Sequence, residues 1–268
     1  MDLRTKSAFI LDMDGVVYHG NKLLDGALDF VKYLKDSGKK FLFLTNSSER
    51  SPADLRNKLL RLGLDIEPEH FYTSALATAS FLASAKPGCS AYVIGEPGLV
   101  NALYNAGISM NDADPDYVVV GETRAYNIEK IERAVTLVLK GARLVGANPD
   151  ITGPVEGGIA PATGALIAPI ELASGRKAYF VGKPNPLMMR HALKRIDSRR
   201  EDTVIIGDRM DTDIIAGIES EIDTVLVLSG VSSRGTVAEF AYRPKMIRDN
   251  LAHVLKTING ETLDTDRA

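Results

Sequence analysis

The chain has a single cysteine, Cys89, among its 268 residues. That excludes an intramolecular disulfide and suits a reducing compartment, so the cytoplasm is the expected location. No apolar run approaches the roughly 18 residues that a membrane-spanning helix needs. The first apolar stretch, Ala8 to Leu11, is followed at once by acids and is too short for the core of a secretory leader. Charge of either sign is not in surplus: 32 Lys and Arg stand against 35 Asp and Glu, a net charge of −3. Such a balance gives no general attraction to a nucleic-acid polymer or an anionic bilayer, so neither is an expected partner. An anionic substrate therefore needs a metal or a few placed cations. The four histidines, His19, His70, His191 and His253, are scattered without ligand-like spacing. Low-complexity tracts, internal repeats and long linkers are missing as well.

What is present is the composition of a globular protein, 45% hydrophobic and 25% charged, long enough for two domains. Short apolar runs alternate with amphipathic segments of helical period, the pattern of an α/β fold with a doubly wound, Rossmann-like parallel sheet. Four runs end abruptly in polar residues. Ala8–Leu11 meets Asp12-Met13-Asp14-Gly15, and Phe41–Leu44 meets Thr45-Asn46. Ala178–Val181 meets Gly182-Lys183-Pro184, and Thr203–Ile206 meets Gly207-Asp208. A further strand is expected over Thr224–Leu228. Unbroken apolar runs suit strands buried on both faces, and ligands of open parallel sheets sit beyond the carboxyl ends of the strands. Asp12, Asp14, Thr45, Lys183 and Asp208 are thus expected around one crevice.

Helix signals agree. Ser51-Pro52-Ala53-Asp54 offers an N-cap, proline at the first position and an acid at the third, and Gly63 closes that segment. Asn185-Pro186 repeats the start, and Gly38 can end a helix that begins near Asp25. Between the second and third polar strand ends lies a second strand–helix series. Its strands are expected near Ala91–Ile94, Tyr117–Val120 and Ala142–Gly146, and its helices near Leu99–Asn105, Ile128–Leu139 and Gly164–Ala173. The division this suggests is a core of residues 1–86 and 179–268 with an inserted domain of residues 87–178, placed to act as a lid. Glu122, Arg124, Asn148 and Asp150 fall at strand ends of the insertion, as contacts to a leaving group or as solvated turn residues. The polar end, Glu261 to Ala268, is expected to fray.

The chemistry starts from Asp12 and Asp14. Two carboxylates two residues apart at a strand end repel each other and call for a cation or a shared proton. A hard cation such as Mg²⁺ meets that need. Asp208 adds a carboxylate from another strand end, and Asp213 can orient metal-bound water or cap the following helix. A phosphate ester fits this set. Mg²⁺ and the Lys183 ammonium neutralise its oxygens, and Thr45 and the Asn46 N–H fix its position. Asp12 serves as nucleophile. Asp14, with a raised pKa, protonates the leaving oxygen and then deprotonates the attacking water.

Asp12-Met13-Asp14-Gly15-Val16-Val17, Thr45-Asn46, Gly182-Lys183-Pro184 and Gly207-Asp208 with Asp213 resemble, in order, the four motifs of the haloacid dehalogenase-like hydrolase superfamily. The insertion resembles that superfamily's type-2A cap. Leu44-Thr45-Asn46, Tyr72–Ala75, Val120–Arg124, Gly182–Pro186 and Leu226–Val231 resemble the NagD-like phosphatases. The resemblance implies a phosphatase with Asp12 as nucleophile and Asp14 as acid and base. It implies phosphate contacts from Thr45, Asn46 and Lys183, and Mg²⁺ on Asp12, the Asp14 carbonyl and Asp208. It also sets Arg209, Met210, Asp211 and Thr212 as a loop that can touch substrate. Nucleoside monophosphates are the implied substrates, with pyridoxal phosphate, phosphoglycolate and sugar phosphates as alternatives.

Other functions stay open at this point. A dehalogenase also uses an aspartate nucleophile but has no need of Asp14, because halide leaves without a proton. A phosphomutase, a phosphorylation-controlled receiver module and a binding protein on an inactive phosphatase fold complete the set. A homo-oligomer is conceivable, although no apolar stripe marks an interface.

Overall fold

A computed structural model describes residues 1–155 and 157–261. Residues 262–268, most of the polar end expected to fray, lie outside them. The chain divides into two units. Among the described residues no helix is long and apolar enough to cross a membrane.

The first unit takes in Met1–Thr45, Lys58–Phe71 and the chain from Pro186 onward. It is built on a sheet whose strand order is Met246–Arg248, Asp223–Val227, Thr203–Gly207, Ala8–Leu11, Lys40–Thr45 and Phe71–Thr73. The pairings from Met246–Arg248 to Lys40–Thr45 are all parallel. Ala8 to Leu11 and Val204 to Ile206 are fully buried, which is why these runs carry no polar alternation. After Ala8–Leu11 the chain winds toward one edge, and after Thr203–Gly207 toward the other. The order therefore reverses between these two neighbours, and the crevice of a doubly wound sheet opens there, beyond the carboxyl ends.

Helices follow the expected signals. Ala27–Asp36 buries Ala27, Phe30, Val31 and Leu34, an i, i+3, i+4, i+7 face, and Gly38 follows its end in a left-handed turn (φ 60°). Pro52–Arg61 starts where Ser51 and Asp54 satisfy each other: Asp54 Oδ2 accepts from the Ser51 N–H at 3.0 Å, and Ser51 Oγ from the Asp54 N–H at 3.2 Å. Pro186–Arg195 begins at its proline.

The second unit takes in Asn46–Asn57 and Tyr72–Asn185. Its parallel sheet has the order Tyr179–Phe180, Arg143–Gly146, Tyr117–Val120, Ser90–Ile94 and Ser109–Met110. Helices Pro97–Asn105, Ile128–Leu139 and Thr163–Ser174 stand within two residues of their expected places. Ile94, Val118, Val120, Leu137, Ile167 and Ile170 belong to a buried cluster between sheet and helices.

One expectation needs correction. The run Ala178–Val181 reads as a strand beside Ala8–Leu11 and its neighbours, but its strand Tyr179–Phe180 pairs with Arg143–Gly146 of the second sheet. Phe180 lies opposite Gly146. A Cβ on Gly146 would stand 2.4 Å from the Phe180 ring, so only glycine lets that ring lie down. The hairpin Thr152–Val155 with Gly158–Pro161 was not foreseen. Its strands are mostly exposed and contain glycine and proline, so they carry no apolar alternation.

Candidate active site

In the first unit, Asp12 and Asp208 follow the two strands at the order reversal. The pairing runs one step past the strand ends, where the Asp12 N–H donates to the Ile206 carbonyl at 2.9 Å. Asp12, Asp208 and Asp213 each offer a carboxylate oxygen, and these oxygens lie within 4.8 Å of one another. Asp12 is partly exposed, whereas Asp208 and Asp213 are 2% and 0% exposed. Three carboxylates so close repel unless a cation joins them. An all-oxygen, all-anionic donor set suits a hard divalent cation, so Mg²⁺ fits these residues. Asp213 falls within the same 4.8 Å limit, although its sequence position suggested only a supporting part.

Two local features hold the cluster. Gly15 adopts φ 79°, and a Cβ there would stand 2.5 Å from Asp208 Oδ2. The glycine that closes Asp12-Met13-Asp14-Gly15 thus serves both a left-handed turn and a close approach. Asp208 Oδ2 accepts from the Val231 N–H at 2.7 Å, and the Asp208 carbonyl accepts from the Ser232 N–H at 3.1 Å. Asp213 Oδ2 accepts from the Arg209 N–H at 3.2 Å and from Thr212 Oγ1 at 3.3 Å.

The Asp14 side chain is not part of the metal-capable group. It is 39% exposed, with His19 Nδ1 at 3.4 Å from its Oδ1. An exposed carboxyl is placed for proton exchange with solvent. His19 had no assigned role in the sequence; it reaches Asp14 through the small hairpin Tyr18–His19 with Lys22–Leu23. Thr45 ends the Lys40–Thr45 strand and is 9% exposed. In the Arg209–Thr212 loop, Arg209 is half-buried and pairs with exposed Asp211 at 2.7 Å. Burial raises the Asp211 pKa, but the hydrogen bond and charge of Arg209 outweigh it and hold the carboxyl below the usual range. Met210 packs with Ile214, Leu226 and Val237, so its side chain is committed to the core.

In the second unit, Asn46 and Lys183 form a reciprocal pair. Asn46 Oδ1 accepts from the Lys183 N–H at 2.8 Å, and Asn46 Nδ2 donates to the Lys183 carbonyl at 2.9 Å. The amide acts as a neighbouring strand would, and Lys183 is 2% exposed. Asn46 Nδ2 also donates to Asp150 Oδ2 at 3.0 Å. Glu122 and Asn148 are not solvated turn residues. Asn148 is 0% exposed and donates to Glu122 Oε1 at 2.7 Å and to the Asn46 carbonyl at 2.6 Å. Glu122 Oε2 accepts from the Ser48 N–H at 2.9 Å and from the Ser48 hydroxyl. Arg124 is exposed.

Burial pushes the Glu122 carboxyl above its ordinary 4.5, and the Ser48 and Asn148 hydrogen bonds oppose that rise. A carboxyl with a raised folded pKa adds stability below its unfolded pKa, and that stability is lost as pH rises through the folded value. Glu122→Gln has no such dependence. Thermal denaturation from pH 4.5 to pH 8 should therefore show the variant's melting temperature gaining on wild type as pH rises. A variant melting temperature that falls further behind wild type as pH rises would contradict the assignment.

Comparison with known proteins decides the family. A family model described as haloacid dehalogenase-like hydrolase matches residues 9–109, and a second, HAD-hydrolase-like, matches residues 180–254. This chain belongs to the haloacid dehalogenase-like hydrolases. The dihydroxyacetone phosphatase of Corynebacterium glutamicum is 46% identical over 91% of this chain and 89% of its own length. The ribonucleotide monophosphatase NagD of Escherichia coli K12 is 43% identical over 91% of this chain and 96% of its own. Among solved structures, a 4-nitrophenylphosphatase from Thermotoga maritima superposes with a TM-score of 0.92 at 32% identity, covering 96% of this chain and 98% of that one. The haloacid dehalogenase-like fold and the NagD-type resemblance read from the motifs are thereby established, and the chain is a phosphatase acting on small phosphate substrates.

Proposed function

We propose that this phosphatase hydrolyses small phosphate monoesters, nucleoside 5′-monophosphates above all, through an aspartyl-phosphate on Asp12. The observation that carries the reading is the meeting of Asp12, Asp208 and Asp213 oxygens within 4.8 Å at the order reversal of the first sheet. The carboxylates of Asp12 and Asp208, the Asp14 carbonyl and, through its own carboxylate, Asp213 would hold Mg²⁺. Bound there, the ion would neutralise phosphoryl charge and so lower the barrier to attack by an anionic nucleophile.

In the first step an Asp12 carboxylate oxygen attacks phosphorus, and the bond from phosphorus to the ester oxygen breaks. Asp14 gives its proton to the departing alkoxide. Water then attacks the phosphorus of the aspartyl-phosphate, returns a proton to Asp14 and releases inorganic phosphate, restoring Asp12. Thr45, Asn46 and Lys183 carry the phosphate contacts that the motif resemblance assigns to them, and half-buried Arg209 and exposed Asp211 are the loop residues left to meet substrate. The inserted segment 87–178 carries the residues that choose the leaving group. The single cysteine and balanced charge suit work in the cytoplasm on a metabolite.

A second substrate reading has its own support. The relative at 46% identity is named a dihydroxyacetone phosphatase, which makes a triose phosphate the competing substrate. Phosphate release should be measured with Mg²⁺ across nucleoside 5′-monophosphates, dihydroxyacetone phosphate, pyridoxal phosphate, phosphoglycolate, sugar phosphates and nitrophenyl phosphate. The expected result is the highest kcat/KM on a nucleoside monophosphate. A triose phosphate ahead by tenfold would transfer the assignment, and no release from any ester would overturn the proposed activity.

A further inference from the structure

Glu122 is a half-buried carboxylate, bonded to fully buried Ser48 and Asn148, that the reaction scheme does not use. It stands just after the Tyr117–Val120 strand, as Asn148 does after Arg143–Gly146 and Lys183 after Tyr179–Phe180. These three strands are neighbours in the second sheet, so their carboxyl ends deliver Glu122, Asn148 and Lys183 to one place. The segment Asn46–Ser48 of the same unit is threaded among them. Ser48 Oγ accepts from the Glu122 N–H at 3.1 Å, while the Glu122 carboxylate accepts from both donors of Ser48. Gly121 has no side chain to keep Ser48 away; a Cβ there would lie 2.5 Å from Ser48 Oγ. Asn148 spans from Glu122 Oε1 to the Asn46 carbonyl, and the Asn46 side chain holds both backbone polar groups of Lys183.

We propose that Glu122 is a positioning residue for phosphate binding, fixing Ser48 and Asn148 so that Asn46 and Lys183 are held where they engage the phosphoryl group. This rests on the assignment of Asn46 and Lys183 as phosphate contacts. The carboxylate suits the task because it only accepts, and all three groups aimed at its oxygens are donors. An amide of the same shape cannot do this. Either orientation of a glutamine at 122 sets an N–H against the Ser48 N–H or against the Asn148 amide, and a buried donor loses its acceptor. The failure travels along the chain of bonds to Asn46 rather than to the nucleophile, so binding of phosphate should suffer more than turnover.

The test uses the Mg²⁺-loaded full chain, with nitrophenyl phosphate as substrate and inorganic phosphate as competitive inhibitor. For Glu122→Gln, KM and the phosphate inhibition constant should rise together by about tenfold, with kcat changed less than about threefold. In an Asn148→Ala background the same substitution should add less than about twofold, because both act through one link. If Glu122→Gln does not fold, Asn148→Ala alone should raise the phosphate inhibition constant. A lower melting temperature with both constants unchanged would reduce Glu122 to a structural residue, and independent, multiplying effects in the double variant would break the proposed link. Lys183→Met separates the two layers. If it leaves phosphate inhibition unchanged, the phosphate assignment itself is wrong. If it weakens inhibition while Glu122→Gln does not, only the positioning role fails.

Discussion

Asp12→Asn is expected to cut phosphate release by at least about 10⁴-fold, the scale on which loss of a nucleophile is felt when binding groups remain. The amide cannot form an acyl phosphate, so no partial route through residue 12 survives. The same change should leave the fold intact. Asp12 is partly exposed at a strand end, and its backbone N–H bond to Ile206 does not involve the side chain. In chelator the variant should melt at a higher temperature than wild type. With Asp208 and Asp213 oxygens within 4.8 Å, removing one of three like charges relieves repulsion that no cation then offsets. Turnover within tenfold of wild type would place the nucleophile elsewhere, and a lower melting temperature in chelator would mean that Asp12 does not share the charge cluster.

Removal of the metal is the second large effect. Divalent metal that binds only the folded chain adds about 2.7 kcal/mol at one hundred times its dissociation constant, or roughly 5–10 °C for a chain of this length. Mg²⁺ should therefore raise the wild-type melting temperature by that amount, and chelator should abolish phosphate release. Asp208→Asn should lose both the shift and at least about 10³-fold of the turnover. Because an asparagine oxygen at 208 can still accept from the Val231 N–H, the variant should fold. Calorimetry in Mg²⁺ and in chelator checks this directly. An undiminished shift in Asp208→Asn would remove that residue from the metal site.

Much of this arrangement is legible in the residues themselves. Ala8–Leu11 and Thr203–Ile206 are apolar runs that stop at acids, and in a buried parallel sheet such a stop has few places to go. Asp12 and Asp208 accordingly stand together at the order reversal. The helix start at Pro52 was readable because Ser51 and Asp54 act within one turn, and that at Pro186 because proline suits the first helical position. Long-range partnership was not readable. Nothing local distinguishes Tyr179–Phe180 from a strand of the first sheet; its place depends on Gly146, more than thirty positions earlier in the chain, having no side chain in the way. Glu122 and Asn148 look like polar turn residues because the Ser48 and Asn46 groups they bond are distant in sequence. Met246–Arg248 pairs as an edge strand through only three residues, one of them arginine, too short for a period to show.

The aspartyl-phosphate is best tested by quenching the wild-type enzyme in acid during steady turnover with Mg²⁺ and locating any phosphoryl group by peptide mass spectrometry. A phosphoryl group on the peptide carrying Asp12, at Asp12 itself and missing from Asp12→Asn, is the expected result. Phosphate released at full rate with no phosphoryl group on Asp12 at any quench time, or with one on a different residue, would contradict the mechanism.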